Sequence, residues 1–268
     1  MANGKQPVIF SDLGKMDFRQ AWDYQESLLQ QNVTAKAEAR SLVHEELKTR
    51  LPDRQAPNSE PKTHHPEPGT THHLLFVEHP PVYTLGKSGS LDNLLISEEE
   101  RKNKGIDFYK INRGGDITFH GIDQVVGYPI LDLERFYTDI GKYLRNLEEV
   151  IILTLQDYGL KGERSPGETG VWLDAGVAGN ERKICAMGIR CSRWVTMHGF
   201  AFNVNTDLSY FDYIIPCGIQ NKQVTSLQKE LGYTLPVNEV KEKVKRNFEK
   251  VFDVELVNRE TADVRRQT

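Results

Sequence analysis

The stretch FYKINRGGDITFHGIDQVVGYPILDL, Phe108 to Leu133, decides the fold class. Its two ends, FYKIN and QVVGYPILDL, have the β-branched and aromatic composition of strands and bracket the glycine-bearing RGGDITFHG. Downstream the period changes. Ile140, Tyr143, Leu144, Leu147, Val150 and Ile151 recur at three and four residues, which predicts one face of a helix ending near Tyr158. Strand signals return at GVWL, KICAMGIRC and FAFNVN, and a last amphipathic helix after Pro236 places Val240, Val244, Phe248 and Val251 on one face. Upstream, LLFVEH and VYTLG read as two short strands broken by Pro80 and Pro81. SEEERKNKG opens on a capping box, Ser97 with Glu100, and stops at Gly105. From Asp17 to about Arg50 the chain is rich in helix formers and predicts one or two helices. Strands mixed with helices, without strict βαβ alternation, predict an α+β (mixed α/β) fold.

Between about residues 51 and 73, Pro52, Pro57, Pro61, Pro66 and Pro68 deny regular structure and almost nothing apolar is available for a core, so an exposed inserted loop is expected. Its histidines, His64, His65, His72 and His73, lack cysteine or carboxylate partners at ligand spacing; they read as solvated, and no metal is assigned. Otherwise the 268 residues read as a single domain, 1–268. A net charge of -4 argues against a nucleic-acid partner, whose footprint is a clustered basic patch. The three cysteines, Cys185, Cys191 and Cys217, have no paired spacing. With no signal-peptide stretch at the N-terminus and no apolar run near the roughly 20 residues that span a bilayer, the expectation is a cytoplasmic protein with reduced thiols and no membrane partner.

Common nucleotide and hydrolase motifs are missing. GKS at Gly86 to Ser88 resembles the end of a phosphate-binding loop, but Pro81 stands where that loop needs glycine, and neither G-x-G-x-x-G nor G-x-S-x-G occurs. The best opening for chemistry is FDYIIPCGIQNKQVTSL, Phe211 to Leu227. A free cysteine ordinarily packs as a small hydrophobe, yet Pro216 and Gly218 leave the sulfur of Cys217 little cover. A reactive Cys217 needs a neighbouring cation or base, because a thiol of pKa near ~8.5 is only slightly ionised at neutral pH. Lys183, His120 and His198 are the candidates; each also has a plain structural reading.

RGGDITFHG followed by Gln124 and YPILDL, then GVWL, KICAMGIR, HGFAFNVN and IIPCGI, with EHPPVYTLG upstream, resemble in order the lipoyl(octanoyl) transferase family. The resemblance implies a fold like that of biotin and lipoate protein ligases, a mixed sheet flanked by helices. It implies an acyltransferase that moves octanoate from octanoyl-acyl carrier protein to a lysine of a lipoyl domain, in 2-oxoacid dehydrogenases and the glycine cleavage H protein, with no cofactor. Carried over residue by residue, the thioester-forming cysteine is Cys217 and the lysine that activates it is Lys183. Substrate contacts fall on Arg113, Gly114, Gly115, Asp116, Ile117, Thr118, Phe119 and His120, on Ala186, Met187 and Gly188, and on Gly199, Phe200 and Ala201. Gly114 and Gly115 could aim backbone N–H groups at a tetrahedral oxyanion. The three blocks are expected to converge, and, since acyl carrier proteins are acidic, Arg113 and Arg190 are candidates for a basic mouth.

Two departures stand out. The family usually has HGPGQ where this chain has HGIDQ, with Ile122 and Asp123 in place of proline and glycine, and the Pro- and His-rich segment is longer than the family needs. Two other readings compete: an ATP-dependent lipoate or biotin protein ligase, which uses no cysteine nucleophile, and a non-catalytic module that binds acyl carrier protein or lipoyl domains. Cys217 argues against the first, and Cys217 with Lys183 against the second.

Overall fold

Pro80 and Pro81 carry the chain out of one sheet and into another. The computed structural model describes residues 5–49, 69–216 and 223–258. In chain order the first elements are β1 (Gln6–Lys15), α1 (Phe18–Thr49), β2 (His73–Glu78), β3 (Val82–Leu85), α2 (Glu98–Asn103) and β4 (Asp107–Lys110). Then come β5 (Ile117–His120), β6 (Gln124–Ile130), α3 (Ile140–Gln156), β7 (Val171–Leu173), β8 (Arg182–Ser192) and β9 (Val195–Asn203). β10 (Gln223–Val224), α4 (Leu227–Leu231), α5 (Val237–Phe252) and β11 (Val254–Val257) complete the described chain.

The larger sheet runs β10-β8-β9-β6-β2-β1-β11, with β7 pairing β8, and is mixed: β1 lies parallel to β2 and β11, β10 parallel to β8, and the β2, β6, β9 and β8 neighbours are antiparallel. A three-stranded sheet, β4-β3-β5, stands beside it. The α+β expectation therefore holds. α3 and α5 cover one face of the larger sheet through Tyr143, Leu147, Val150, Ile151 and Leu155 on α3 and Val240, Val244 and Phe248 on α5. Both are the stripes their periodicity predicts. Asp139 caps α3 by accepting the Lys142 N–H at 2.9 Å, and the Ser97–Glu100 capping box closes on α2.

α1 covers the other face. Its buried positions, Phe18, Ala21, Gln25, Leu28, Leu29, Asn32 and Lys36, follow helical spacing. Three of them are polar and each is met from the sheet side. Asn32 clamps Thr71, donating to its carbonyl at 2.7 Å and accepting its N–H at 2.8 Å. Lys36 is paired with the fully buried Asp132 and donates to the Arg193 carbonyl at 2.9 Å. Removing one partner of such a buried pair costs about 3–5 kcal/mol, so this contact fixes α1 on the sheet.

Two histidines of the expected loop are not solvated. His73 opens β2, and His72 and His73 are buried rather than solvated. The cause is the Asn32 clamp together with the His72 ring, which packs on Phe136 and accepts the Asp132 N–H at 3.3 Å. His64 and His65 lie outside the described residues, as does the rest of 51–68. No described helix is long and apolar enough to cross a membrane.

Candidate active site

β8 and β9 pair so that Ala186 faces Ala201, Met187 faces Phe200 and Gly188 faces Gly199. The two glycine-bearing blocks, on the two arms of one hairpin, are thus one cross-strand patch. The third block arrives from the smaller sheet. Gly114 donates its N–H to the Ile189 carbonyl at 2.9 Å, and a Cβ placed on Gly188 would stand 2.7 Å from the Gly114 oxygen. This close approach is what glycine at 188 permits.

Between these segments lies a cleft with about 490 Å³ of empty space, open solvent included, of which about 50 Å³ is room for the centres of water-sized spheres. It is lined by Arg113, Gly115, Asp116, Ile117, Thr118 and His120 from the first block, by Ala186, Met187 and Gly188, and by Gly199, Phe200 and Ala201. Gly114 and Phe119 are not in the lining; the Phe119 ring turns into the core of the smaller sheet and stacks on Tyr210 at 4.6 Å. Phe18, Ile111, Tyr128 and His198 complete the wall.

Arg113 is buried, with its guanidinium donating to the Thr84 carbonyl at 2.7 Å, to Thr84 Oγ1 at 3.0 Å and to the Gly114 carbonyl at 2.9 Å. It is a wall group and not the exposed docking charge expected from sequence. Arg190 is likewise engaged, pairing with Glu26 at 2.6 Å. The Gly114 N–H is spent on Ile189, so it does not point into the cavity as an oxyanion donor. Asp116 accepts the Ile117 N–H at 2.6 Å and the Asn93 amide at 2.5 Å.

The two histidines of the site are neutral. Burial holds His198 down to about 3 and, from behind, His79 down to about 4. Burial, then His79 and the Arg113 charge, holds His120 well below the usual range. The His198 backbone is left-handed, with φ 58, and its N–H is turned to the Gln25 side chain at 2.9 Å. Asp123 also takes φ 58, the conformation a glycine would supply, and aspartate tolerates it. Its N–H meets Glu78 at 3.1 Å, and its carbonyl accepts from Val204, Asn205 and Thr206, so the HGIDQ turn closes without the family's glycine. Ile122 beside it is 38 % exposed.

Lys183 is buried on β8, with Nζ 4.5 Å from the centre of the Trp172 ring, and is not among the cavity-lining residues. Thr225 donates its N–H to the Lys183 carbonyl at 3.0 Å. Gly170, φ 118, packs against Lys183 and is held by Glu148, which accepts its N–H at 3.0 Å. Cys217 lies outside the described residues: the chain is described to Pro216 and again from Gln223. Ile215 donates to the carbonyl of Asn93, whose side chain holds Asp116, and Val224 is the β-partner of Lys183. Burial pushes the Cys185 thiol well up and the half-buried Cys191 thiol up as well, so neither is a source of thiolate.

Sequence reading assigned no role to Thr84, Tyr128 or Gln25. The first two sit inside the EHPPVYTLG and YPILDL blocks, which is the signal that could have found them; Gln25 carries none. Among the described residues no group of three or more histidine, cysteine or carboxylate side chains could hold a metal.

The lipoyl protein ligase A/B catalytic domain family matches residues 60–249. An octanoyltransferase from Christiangramia forsetii is 56% identical over 93% of this chain and 97% of its own length. One from Cytophaga hutchinsonii is 46% identical over 96% and 97%. Among solved structures, the bi-partite lipoate protein ligase of Thermoplasma acidophilum shares the fold, with a TM-score of 0.58 and 17% identity over 95% of this chain and 86% of that one. The chain belongs to the lipoyl protein ligase A/B catalytic domain family, among its octanoyltransferases.

Proposed function

We propose that this chain transfers an octanoyl group from octanoyl-acyl carrier protein to a lysine of lipoyl domains, those of 2-oxoacid dehydrogenases and the glycine cleavage H protein, through a thioester on Cys217. The observation that carries this is the near full-length likeness to curated octanoyltransferases; the cavity where the three sequence blocks meet supports it. The Cys217 thiolate attacks the donor carbonyl, and the carrier's thiolate leaves and takes a proton. The acceptor amine then attacks the Cys217 thioester, loses a proton and expels the Cys217 thiolate. Each step begins from a thioester, so acyl activation is conserved and ATP is not consumed. Lys183 is the group that stabilises the Cys217 thiolate. The apolar wall of Ile117, Met187 and Phe200 accommodates the chain, with Thr118 beside it.

The test is transfer without nucleotide. Purified protein, octanoyl-acyl carrier protein and a lipoyl domain should yield an acceptor heavier by one octanoyl group. A requirement for ATP with free octanoate would replace this reading by that of a ligase.

Gly188→Val supplies a second check. The new Cβ would press on the Gly114 carbonyl and, at 3.1 Å, on Arg113 Cδ, displacing the first block from β8. The Michaelis constant for the octanoyl donor should rise by roughly tenfold or more, about 1.4 kcal/mol of binding. An unchanged value in a folded variant would take Gly188 out of the substrate wall.

A further inference from the structure

We propose that Gln124 and Asn203 are positioning residues, which with Thr84 and His120 form a one-way hydrogen-bond chain locking the Arg113 wall of the cavity to Thr225, just after β10, and through it to Lys183 on β8. The rate consequence of this lock rests on the transfer reading above; the lock itself does not.

The direction of every bond follows from groups that can only donate or only accept. Gln124 Nε2 donates to the Phe119 carbonyl at 3.2 Å and to Asn203 Oδ1 at 2.8 Å, which leaves Oε1 facing His120 Nδ1 at 3.0 Å. A carbonyl oxygen cannot donate, so His120 Nδ1 carries the ring proton. Its Nε2 then has a lone pair, and the neighbour at 3.4 Å, Thr84 Oγ1, turns its hydrogen toward it. The Thr84 oxygen is left to accept from Arg113 Nη2 at 3.0 Å. At the far end Asn203 Nδ2 donates to the Thr225 carbonyl at 3.0 Å, which fixes that amide as well. Thr225 in turn donates its N–H to Lys183 O at 3.0 Å.

The donors therefore run Arg113 to Thr84 to His120 to Gln124 to Asn203 to Thr225, starting from a permanent cation. None of the six is more than 7 % exposed. In so dry a place aligned hydrogen bonds polarise one another, and a missing link strands buried polar groups on both sides. The contacts reach far along the chain, with 79 positions between Gln124 and Asn203 and 29 between Thr84 and Arg113.

His120 is spent in this chain. One nitrogen is a donor, the other an acceptor, and the titratable or charged groups around it are His79 just after β2, Arg113 from the loop before β5 and His198 from β9. Burial and these neighbours oppose a proton on it. His120, a candidate base for Cys217 from its sequence setting, acts instead as a rigid coupler.

The test reads the tautomer directly. In the full chain labelled with 15N-histidine, long-range proton–nitrogen correlation, assigned by loss of one signal in His120→Asn, should show His120 as neutral Nδ1–H across about pH 5 to 8. Gln124→Glu keeps the acceptor but adds a charge and removes the donor, so His120 should become protonable within that range. Asn203→Ala should lower kcat for octanoyl transfer about 10²-fold with little change in KM, as expected of lost positioning. An Nε2–H tautomer, or wild-type titration near about 6.5, would overturn the proposal whether or not any variant folds. So would a folded Asn203→Ala enzyme with wild-type kcat. A correct tautomer in a protein that transfers no octanoyl would sink the functional reading and leave the lock standing.

Discussion

Cys217→Ala is expected to abolish octanoyl transfer, by at least about 10³-fold, because covalent catalysis loses its attacking atom. The two other thiols are poor substitutes. Cys185 is fully buried in the core under α3 and Cys191 is half-buried, and burial raises both. Neither supplies thiolate at neutral pH, so Cys185→Ala and Cys191→Ala should retain transfer. The check is twofold: steady-state transfer from octanoyl-acyl carrier protein, and intact mass after incubation with donor alone. Wild type and the two control variants should gain one octanoyl group, and Cys217→Ala none. Near wild-type turnover in Cys217→Ala would refute a covalent route. An adduct that persisted in Cys217→Ala would move the nucleophile elsewhere.

How much of this was legible beforehand depends on distance along the chain. α3, α5 and the capped α2 are local patterns, in which spacing and one capping pair suffice, and they lie where periodicity put them. β1 and β11 are different. They are parallel partners from opposite ends of the described chain, each stabilised by a neighbour that sequence inspection does not bring near. The site divides in the same way. The blocks around Arg113, Gly188 and Gly199 could be read from glycines at strand ends, and they do line one cavity. What compensates each polar group could not. An arginine in RGGDITFHG looks like an exposed docking charge until Thr84, 29 positions away, is seen to absorb it. His120 looks like a base until Gln124 fixes its proton. Composition reports charge; only the fold reports which partner neutralises its cost.

Arg113 and the neutral histidines together give the cavity its character. Two imidazoles, both held uncharged by burial, and one fully engaged guanidinium make a wall that presents hydrogen-bonding capacity without mobile charge. Such a wall suits an acyl thioester, a neutral group with one polar atom. It also leaves the site without an obvious proton acceptor among its histidines, in keeping with the proposal that Lys183 activates the thiol.

Lys183→Ala should accordingly cut transfer by about 10²- to 10⁴-fold, the usual span for loss of an acid or base group, and should raise the pH at which Cys217 alkylates. The sign follows from linkage: a lysine ammonium beside a thiol favours the thiolate and lowers the thiol pKa, so its removal returns the thiol toward about 8.5. Lys183 is placed for a fixed role. Its carbonyl is held by Thr225, its ammonium lies over Trp172, and Gly170, clamped by Glu148, packs beside its stem. Iodoacetamide rates measured against pH in a Cys185→Ala/Cys191→Ala background isolate Cys217. The profile should shift upward in Lys183→Ala, and an unchanged profile in a folded variant would remove lysine from thiol activation. Lys183→Arg then separates charge from proton transfer, since guanidinium keeps the charge but does not act as a base at accessible pH. If charge alone matters, arginine restores both the alkylation profile and transfer. If the amine must also take the thiol proton, arginine restores the profile and leaves transfer near the alanine level, and that second pattern is the one expected, because guanidinium keeps the charge but cannot take the thiol proton at accessible pH.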